Sequence, residues 1–236
     1  MATLKGGYFL KDGTRVPSVT TVLSRYKESG ALIHWSAGQA AKYVQENLPD
    51  NPTKADVARV CDAAKHAYRD VRDAAADAGT MAHEAVEAWI KSEPYTFAGK
   101  ADVVDRAEKA YGAFLEWAQQ TELVITHAEV PLVSETYKFG GTLDAMLIKG
   151  KRSLGDWKSS SGVYGDYLCQ IAAYGILWEE NHPDMPIDGG YHLMRFDKNF
   201  GDYKHHFWAE LDTAKKSFLL MRQLYGMDAE LKARAK

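Results

Sequence analysis

The chain has 236 residues, 46% hydrophobic and 26% charged, and 29 Lys and Arg against 32 Asp and Glu give a formal charge of −3. That length suits one domain whose core needs no disulfide or structural metal, and the near-average composition excludes a disordered or fibrous chain. The slight acidity excludes a histone-like protein and makes nucleic acid an unobvious partner.

In chain order, Tyr8-Phe9-Leu10 and Arg15-Val16 flank an Asp12-Gly13 turn and predict a hairpin. Pro17 to Leu23 reads as a loop leading into a short helix. Ala31 to Leu48 reads as a helix stopped at Pro49. Thr53 to Asp56 resembles a capping box, and apolar residues recur at helical spacing from Val57 to Ala75. Gly79 is a candidate interruption, after which Thr80 to Lys91 resumes the helix; Asp102 to Gln119 is the next amphipathic stretch. From Leu123 the character turns β-rich. Leu123 to Val133, Tyr137 to Ile148 and Arg152 to Lys158 are joined by short connections that favour an antiparallel meander. A helix over Tyr164 to Glu180, strands over Gly190 to Phe196 and Tyr203 to Leu211, and a last helix from Asp212 complete the chain.

The two cysteines, Cys61 and Cys169, form neither a redox pair nor a zinc pattern and read as free thiols of a reducing compartment. Met1 to Lys11 lacks the apolar core of a signal peptide, and the longest apolar run, Ile171 to Trp178, is far short of the ~20 residues that span a bilayer. The expectation is a cytoplasmic protein with no membrane association.

Chemistry concentrates in two predicted strands. Gly140-Gly141-Thr142-Leu143-Asp144 and Asp156-Trp157-Lys158-Ser159-Ser160 set acids in segments otherwise built for burial. Alternation puts Asp156 and Lys158 on one strand face and Trp157 on the other. If the strands pair through Lys149-Gly150-Lys151, Asp144 lies near Asp156, a costly gathering of carboxylates unless a cation compensates. Gln170 and Tyr174 stand at i and i+4 on the following helix.

With these residues in view, the sequence resembles the PD-(D/E)XK nuclease superfamily, in particular its RecB-like exonuclease branch with phage and mitochondrial-type members. Gly79-Thr80-Met81-Ala82-His83, Glu129, Gly141-Thr142-Leu143-Asp144, Asp156-Trp157-Lys158 and Gln170 to Tyr174 match the motifs of that branch in order. Val16-Pro17-Ser18-Val19-Thr20 also resembles the start of its phage and mitochondrial-type members. Leu143 replaces the namesake proline, and the four cysteines of iron–sulfur relatives are missing, so no cluster is implied. Gly99-Lys100 and Gly150-Lys151 do not continue into a Walker A loop, so no nucleotide cofactor is implied either.

The resemblance implies an α/β, restriction-endonuclease-like core: a central mixed sheet flanked by helices, with a helical N-terminal elaboration. Residues 1–236 would form a single nuclease domain, with 1–120 mainly helical and 121–236 bearing the sheet. It implies hydrolysis of DNA phosphodiesters with one or two Mg²⁺ or Mn²⁺ ions. Asp144, Asp156, Glu129, His83 and the Trp157 carbonyl are the implied ligands; Lys158 is the implied catalytic lysine, and Gln170 and Tyr174 position the site. Glu87 and Glu84 compete for a supporting place beside His83. Arg25, Lys27, Lys42, Arg69, Arg72 and Lys100 are candidate backbone contacts, with Tyr26, Trp35, Tyr43 and Tyr68 available for stacking on bases. His205-His206 reads as incidental, since adjacent strand residues point apart. End processing of single-stranded or resected DNA in replication, recombination or repair is the favoured activity. A flap or junction endonuclease and a catalytically silent DNA-binding recombination partner are the alternatives. Two bound divalent ions would move the formal charge from −3 to about +1.

Overall fold

The Asp12 carboxylate accepts from the Thr14 amide at 2.8 Å and Gly13 takes a φ of 84°, which closes β1 (Tyr8–Phe9) onto β2 (Arg15–Val16). The computed structural model that shows this describes residues 6–27, 30–158, 162–197 and 201–235. Ser159 and Ser160, the tail of the second acidic segment, lie outside the described residues. Ser18 caps α1 (Val19–Tyr26) by accepting from the Thr21 amide. After α2 (Gly30–Asn47), Thr53 and Asp56 form the expected capping box of α3 (Lys54–Ala64).

Two helix expectations fail here. The periodic run from Val57 to Ala75 is not one helix, because the chain turns at Lys65-His66 and α4 begins afresh (Ala67–Lys91). Gly79 does not interrupt α4 but lies buried within it. Tertiary packing explains both. The turn lets α3 lie against α2, while the small residues of α4 meet those of α5 (Ala101–Gln120), with Ala82, Ala107, Ala110 and Ala113 in one buried cluster. Gly79 is buried within α4 despite its cost in helix propensity.

The sheet has the order β3-β4-β5-β6-β7. β3 (Val124–Ser134), β4 (Phe139–Ile148) and β5 (Lys151–Lys158) form the expected antiparallel meander. α6 (Gly165–Asn181) then crosses over to β6 (Tyr191–Phe196), which runs parallel to β5. β7 (Tyr203–Trp208) pairs antiparallel with β6 and stops short of Leu211, which instead precedes α7 (Asp212–Arg234) and is buried.

Each face of the sheet has its own core. Leu143, Ala145, Leu154 and Leu193 pack with α1, α6 and Phe218 of α7. Met146, Ile148, Trp157 and Met194 pack with α4 and α5 around Phe114 and Trp117. α6 is buried without a break from Gln170 to Trp178, which is why its apolar run shows so little amphipathic rhythm. The result is an α/β fold with a five-stranded mixed sheet flanked by helices and a helical N-terminal region, consistent with a restriction-endonuclease-like core. No described helix is long and apolar enough to cross a membrane.

The glycine pair of β4 sets how closely neighbours approach. A Cβ on Gly140 would stand 2.3 Å from Tyr8 Cγ, and one on Gly141 would stand 3.0 Å from both Leu177 Cδ1 and a Tyr174 ring carbon. The hairpin therefore seats Tyr8 on β4, where its hydroxyl bonds Thr142 Oγ1 at 2.7 Å. Gly140→Ala should lower stability by roughly 1–3 kcal/mol through overpacking, read as a lower urea midpoint at unchanged slope.

Candidate functional site

Alternation and core membership decide where each acid goes. Leu143 and Ala145 face α6, so Asp144 between them faces α4 and α5 with Met146. Trp157 also faces α4 and α5, so Asp156 and Lys158 face α6. The β4–β5 ladder ends at the Asp144–Gly155 pair, so the two carboxylates flank the point where those strands stop pairing. They lie on opposite faces, yet close enough for the Asp156 charge to act on Asp144.

On the α4 side, a cavity of 350 Å³ is lined by His83 and Glu129 with Asp144 and Trp157. Thr80, Glu84, Glu87 and Lys91 line it too, at the spacing of one helix face. Its wall depends on a β-bulge. Between the pairs His127–Ala145 and Val130–Leu143, two β3 residues oppose the single residue Asp144. The bulge puts Glu129 at φ 48°, strained for a non-glycine residue, and its amide donates to Asp144 Oδ1 at 2.6 Å. Asp144 is only 3% exposed. Burial is the main cause that lifts its pKa to about 6, with the Glu129 and Asp156 charges adding to it and the Glu129 amide opposing it.

On the α6 side, Asp156 is 1% exposed and its Oδ2 lies 2.5 Å from Lys158 Nζ. This is contact by charge: Oδ2 makes no bond of hydrogen-bond geometry. The ammonium also donates to Gln170 Oε1 at 3.1 Å, and Gln170 Nε2 donates to the Tyr174 hydroxyl at 2.9 Å. Burial drives the Tyr174 phenol far up, so it stays protonated. The chain Asp156–Lys158–Gln170–Tyr174 links β5 to α6, and the i,i+4 spacing of the last two lets one helix face supply both.

The structure thus gathers His83, Glu129, Asp144 and Trp157 around one cavity, and Asp156, Lys158, Gln170 and Tyr174 into one chain behind it. Among the described residues, no three His, Cys, Asp or Glu side chains converge in an arrangement ready to hold an ion. The donor chemistry still fits a hard divalent cation. Carboxylates from β3 and β4 line the cavity beside one imidazole, and Asp144 carries the cost of a buried acid that a cation would relieve.

Glu87 pairs with Lys91, and Glu84 accepts from the Tyr95 hydroxyl at 2.9 Å, so both supporting candidates are engaged. Lys91 was missing from the sequence reading, although its place one turn beyond Glu87 on the His83 face was a usable signal. The candidate DNA contacts are mostly spoken for: Arg25 pairs with Asp228, Lys27 with Asp166, Lys42 with Glu46 and Arg72 with Asp73. Trp35 and Tyr68 meet edge to face at 6.5 Å, with Arg69 and Arg72 about the Tyr68 ring. Tyr26 is exposed and Tyr43 half-buried, and Lys100 precedes α5. His205 and His206 point apart, the first onto Trp117 and His192, the second onto Trp208.

Fold and site together define an α/β protein whose mixed sheet buries two carboxylates where a β-ladder ends. Among solved structures, the crystal structure of LHK-Exo in complex with dAMP aligns over 66% of this chain and 84% of that chain, at 16% identity and a TM-score of 0.33. No family model and no curated protein matches the sequence.

The buried acid leaves a pH signature. Its folded pKa of about 6 lies above the ordinary 3.8, so the folded chain keeps a proton that the unfolded chain has lost. The stability this contributes is fully present below pH 3.8 and is lost as pH rises through about 6, a loss on the order of 3 kcal/mol. In EDTA, Asp144→Asn should gain that much on the wild type between pH 4 and pH 7.5, measured by urea unfolding. An equal gap at both pH values would show that Asp144 does not titrate in this way.

Proposed function

We propose that this chain is a divalent-metal-dependent DNA nuclease, acting as one unit and processing DNA ends in replication, recombination or repair. The observation that carries the proposal is the pairing of an acid-lined cavity with a partly buried lysine across one broken ladder. His83, Glu129 and Asp144 border the cavity, and Lys158, held by Asp156 and Gln170, stands behind it. An acid cluster alone would serve many ends; a lysine beside it points to an anionic substrate with a developing negative charge.

Asp144, Glu129, His83 and the Trp157 carbonyl would hold Mg²⁺ or Mn²⁺ from the cavity side, and Asp156 would join them from the opposite face at the end of the β4–β5 ladder, where its charge acts on Asp144. When bound, the ion supplies a more acidic water and neutralises charge on the phosphate. The remaining work belongs to side chains of this protein. Lys158, placed by Asp156 and Gln170, meets the phosphate as a donor and stabilises the oxyanion formed during in-line displacement. Gln170 fixes the direction of Lys158, since its carbonyl accepts from the ammonium while its amide is committed to Tyr174. Tyr174, neutral and buried, acts as the anchor of that chain rather than as a base. Because burial raises the Asp144 pKa to about 6, its carboxylate would be available to a cation only as pH rises through that value, so activity should rise with pH there.

End-labelled single- and double-stranded DNA, with a closed circle alongside, tests the proposal in the presence of Mg²⁺ or Mn²⁺. Cleavage of linear substrates and not of the circle is the expected result; cleavage of the circle would mark an endonuclease. Asp156→Asn and Lys158→Ala should each lose at least about 100-fold in rate while keeping the wild-type circular-dichroism spectrum. Wild-type rates in either variant, or DNA binding without cleavage of any substrate, would defeat the nuclease reading. Mn²⁺ should also raise the unfolding midpoint of the wild type and not that of Asp144→Asn.

A further inference from the structure

Tyr164 occupies the position before α6, where a side chain able to cap the helix would normally stand, and it makes no cap bond. The residue is 49% exposed and absent from both sheet cores, and its ring meets Tyr167 edge to face at 5.5 Å. Tyr167 is half-buried and packed against the core, which makes it a rigid backing for the outer ring. Two ammonium groups border that backing. Lys158 Nζ lies 5.2 Å and Lys27 Nζ 5.8 Å from the centre of the Tyr167 ring. Lys27 is held in place by Asp166 at 3.1 Å. The exposed ring therefore stands one side chain away from the lysine assigned to the reacting phosphate.

We infer that Tyr164, backed by Tyr167 and bordered by Lys27 and Lys158, is a stacking subsite for an unpaired nucleobase adjoining the scissile phosphate of DNA. The combination has the two parts that sequence-tolerant binding of single strands requires: an accessible aromatic face and positive charge for the backbone beside it. A base inside a duplex already has both faces stacked, so the subsite selects frayed or single-stranded ends. It rests on the nuclease reading for the position of the phosphate and specifies which form of DNA the site takes. The stacking residues proposed from sequence, Tyr26, Trp35, Tyr43 and Tyr68, belong to other helices. Tyr164 and Tyr167 escaped that reading because they looked like the ordinary start of an apolar helix.

Fluorescence anisotropy with a labelled single-stranded oligodeoxynucleotide and with its blunt duplex, both in EDTA, tests the subsite without turnover. Tyr164→Ala should weaken single-strand binding about 5- to 100-fold, the range for loss of one stacked base. Tyr164→Phe, which keeps the ring, should stay within about twofold of wild type. Duplex affinity and the thermal unfolding midpoint should not change in either variant. Unchanged single-strand affinity in Tyr164→Ala overturns the inference, as do equal losses on both DNAs or a wild type that does not bind the single strand. A protein that binds the single strand through Tyr164 yet leaves DNA intact with Mn²⁺ upholds the subsite and defeats the nuclease reading. Cleavage combined with an unaffected Tyr164→Ala defeats the subsite alone.

Discussion

Two carboxylates are buried where a β-ladder ends, and most of the surrounding architecture answers to their cost. An unpaired charge in an apolar interior is worth several kcal/mol against folding, so each acid must be neutralised or given a donor. The protein treats its two acids differently. Asp144 receives the Glu129 amide and is pushed toward its neutral form by burial, whereas Asp156 receives the ammonium of Lys158. The bulge in β3 exists in the service of the first solution: without the extra residue, the Glu129 amide would be spent on the ladder instead of on a carboxylate. The left-handed conformation at Glu129 is strain stored at that point, and the structure over-determines it through the pairing on either side.

The second solution reaches further. Holding Lys158 requires Gln170, holding Gln170 requires Tyr174, and both sit on the continuously buried stretch of α6. A polar side chain in that position is tolerated because its carbonyl and its amide both have partners. The close seating of α6 on β4 follows from Gly141, whose missing Cβ leaves room for Tyr174 and Leu177. Thus the glycine beside the acidic motif and the tyrosine at the end of the polar chain are two sides of one packing contact, and losing either would loosen the lysine.

Much of this was legible in the chain. The capping box at Thr53, the Asp12-Gly13 hairpin, the meander from Leu123 to Lys158 and the helix over Tyr164 to Glu180 all follow from short-range chemistry, and the structure contains each of them. The break at Lys65-His66 was not legible, since neither residue forbids a helix and only the packing of α3 on α2 rewards the turn. Gly79 misled for the converse reason: its intrinsic cost is local, while its burial within α4 is set by tertiary packing. In the site, the acids, the lysine and the Gln170–Tyr174 pair were visible as residue types out of place in apolar segments. The expected pairing of the two strands does bring Asp144 near Asp156, but the register that sets Asp144 opposite Gly155 sends the two acids to opposite sides, which the sequence pattern did not specify.

By itself, then, the sequence determined most of the elements and their type, because hydrophobic period, turn residues and caps act over a few positions. It also determined which polar residues are costly enough to need an explanation. Only the tertiary structure decided how those costs are met: the one-residue bulge that turns a backbone amide onto Asp144, the cavity His83 shares with Glu129, and the aromatic pair that stands beside Lys158. These depend on strand register and helix packing, where a shift of one residue reverses which face a side chain occupies, and no local pattern in the chain encodes that shift.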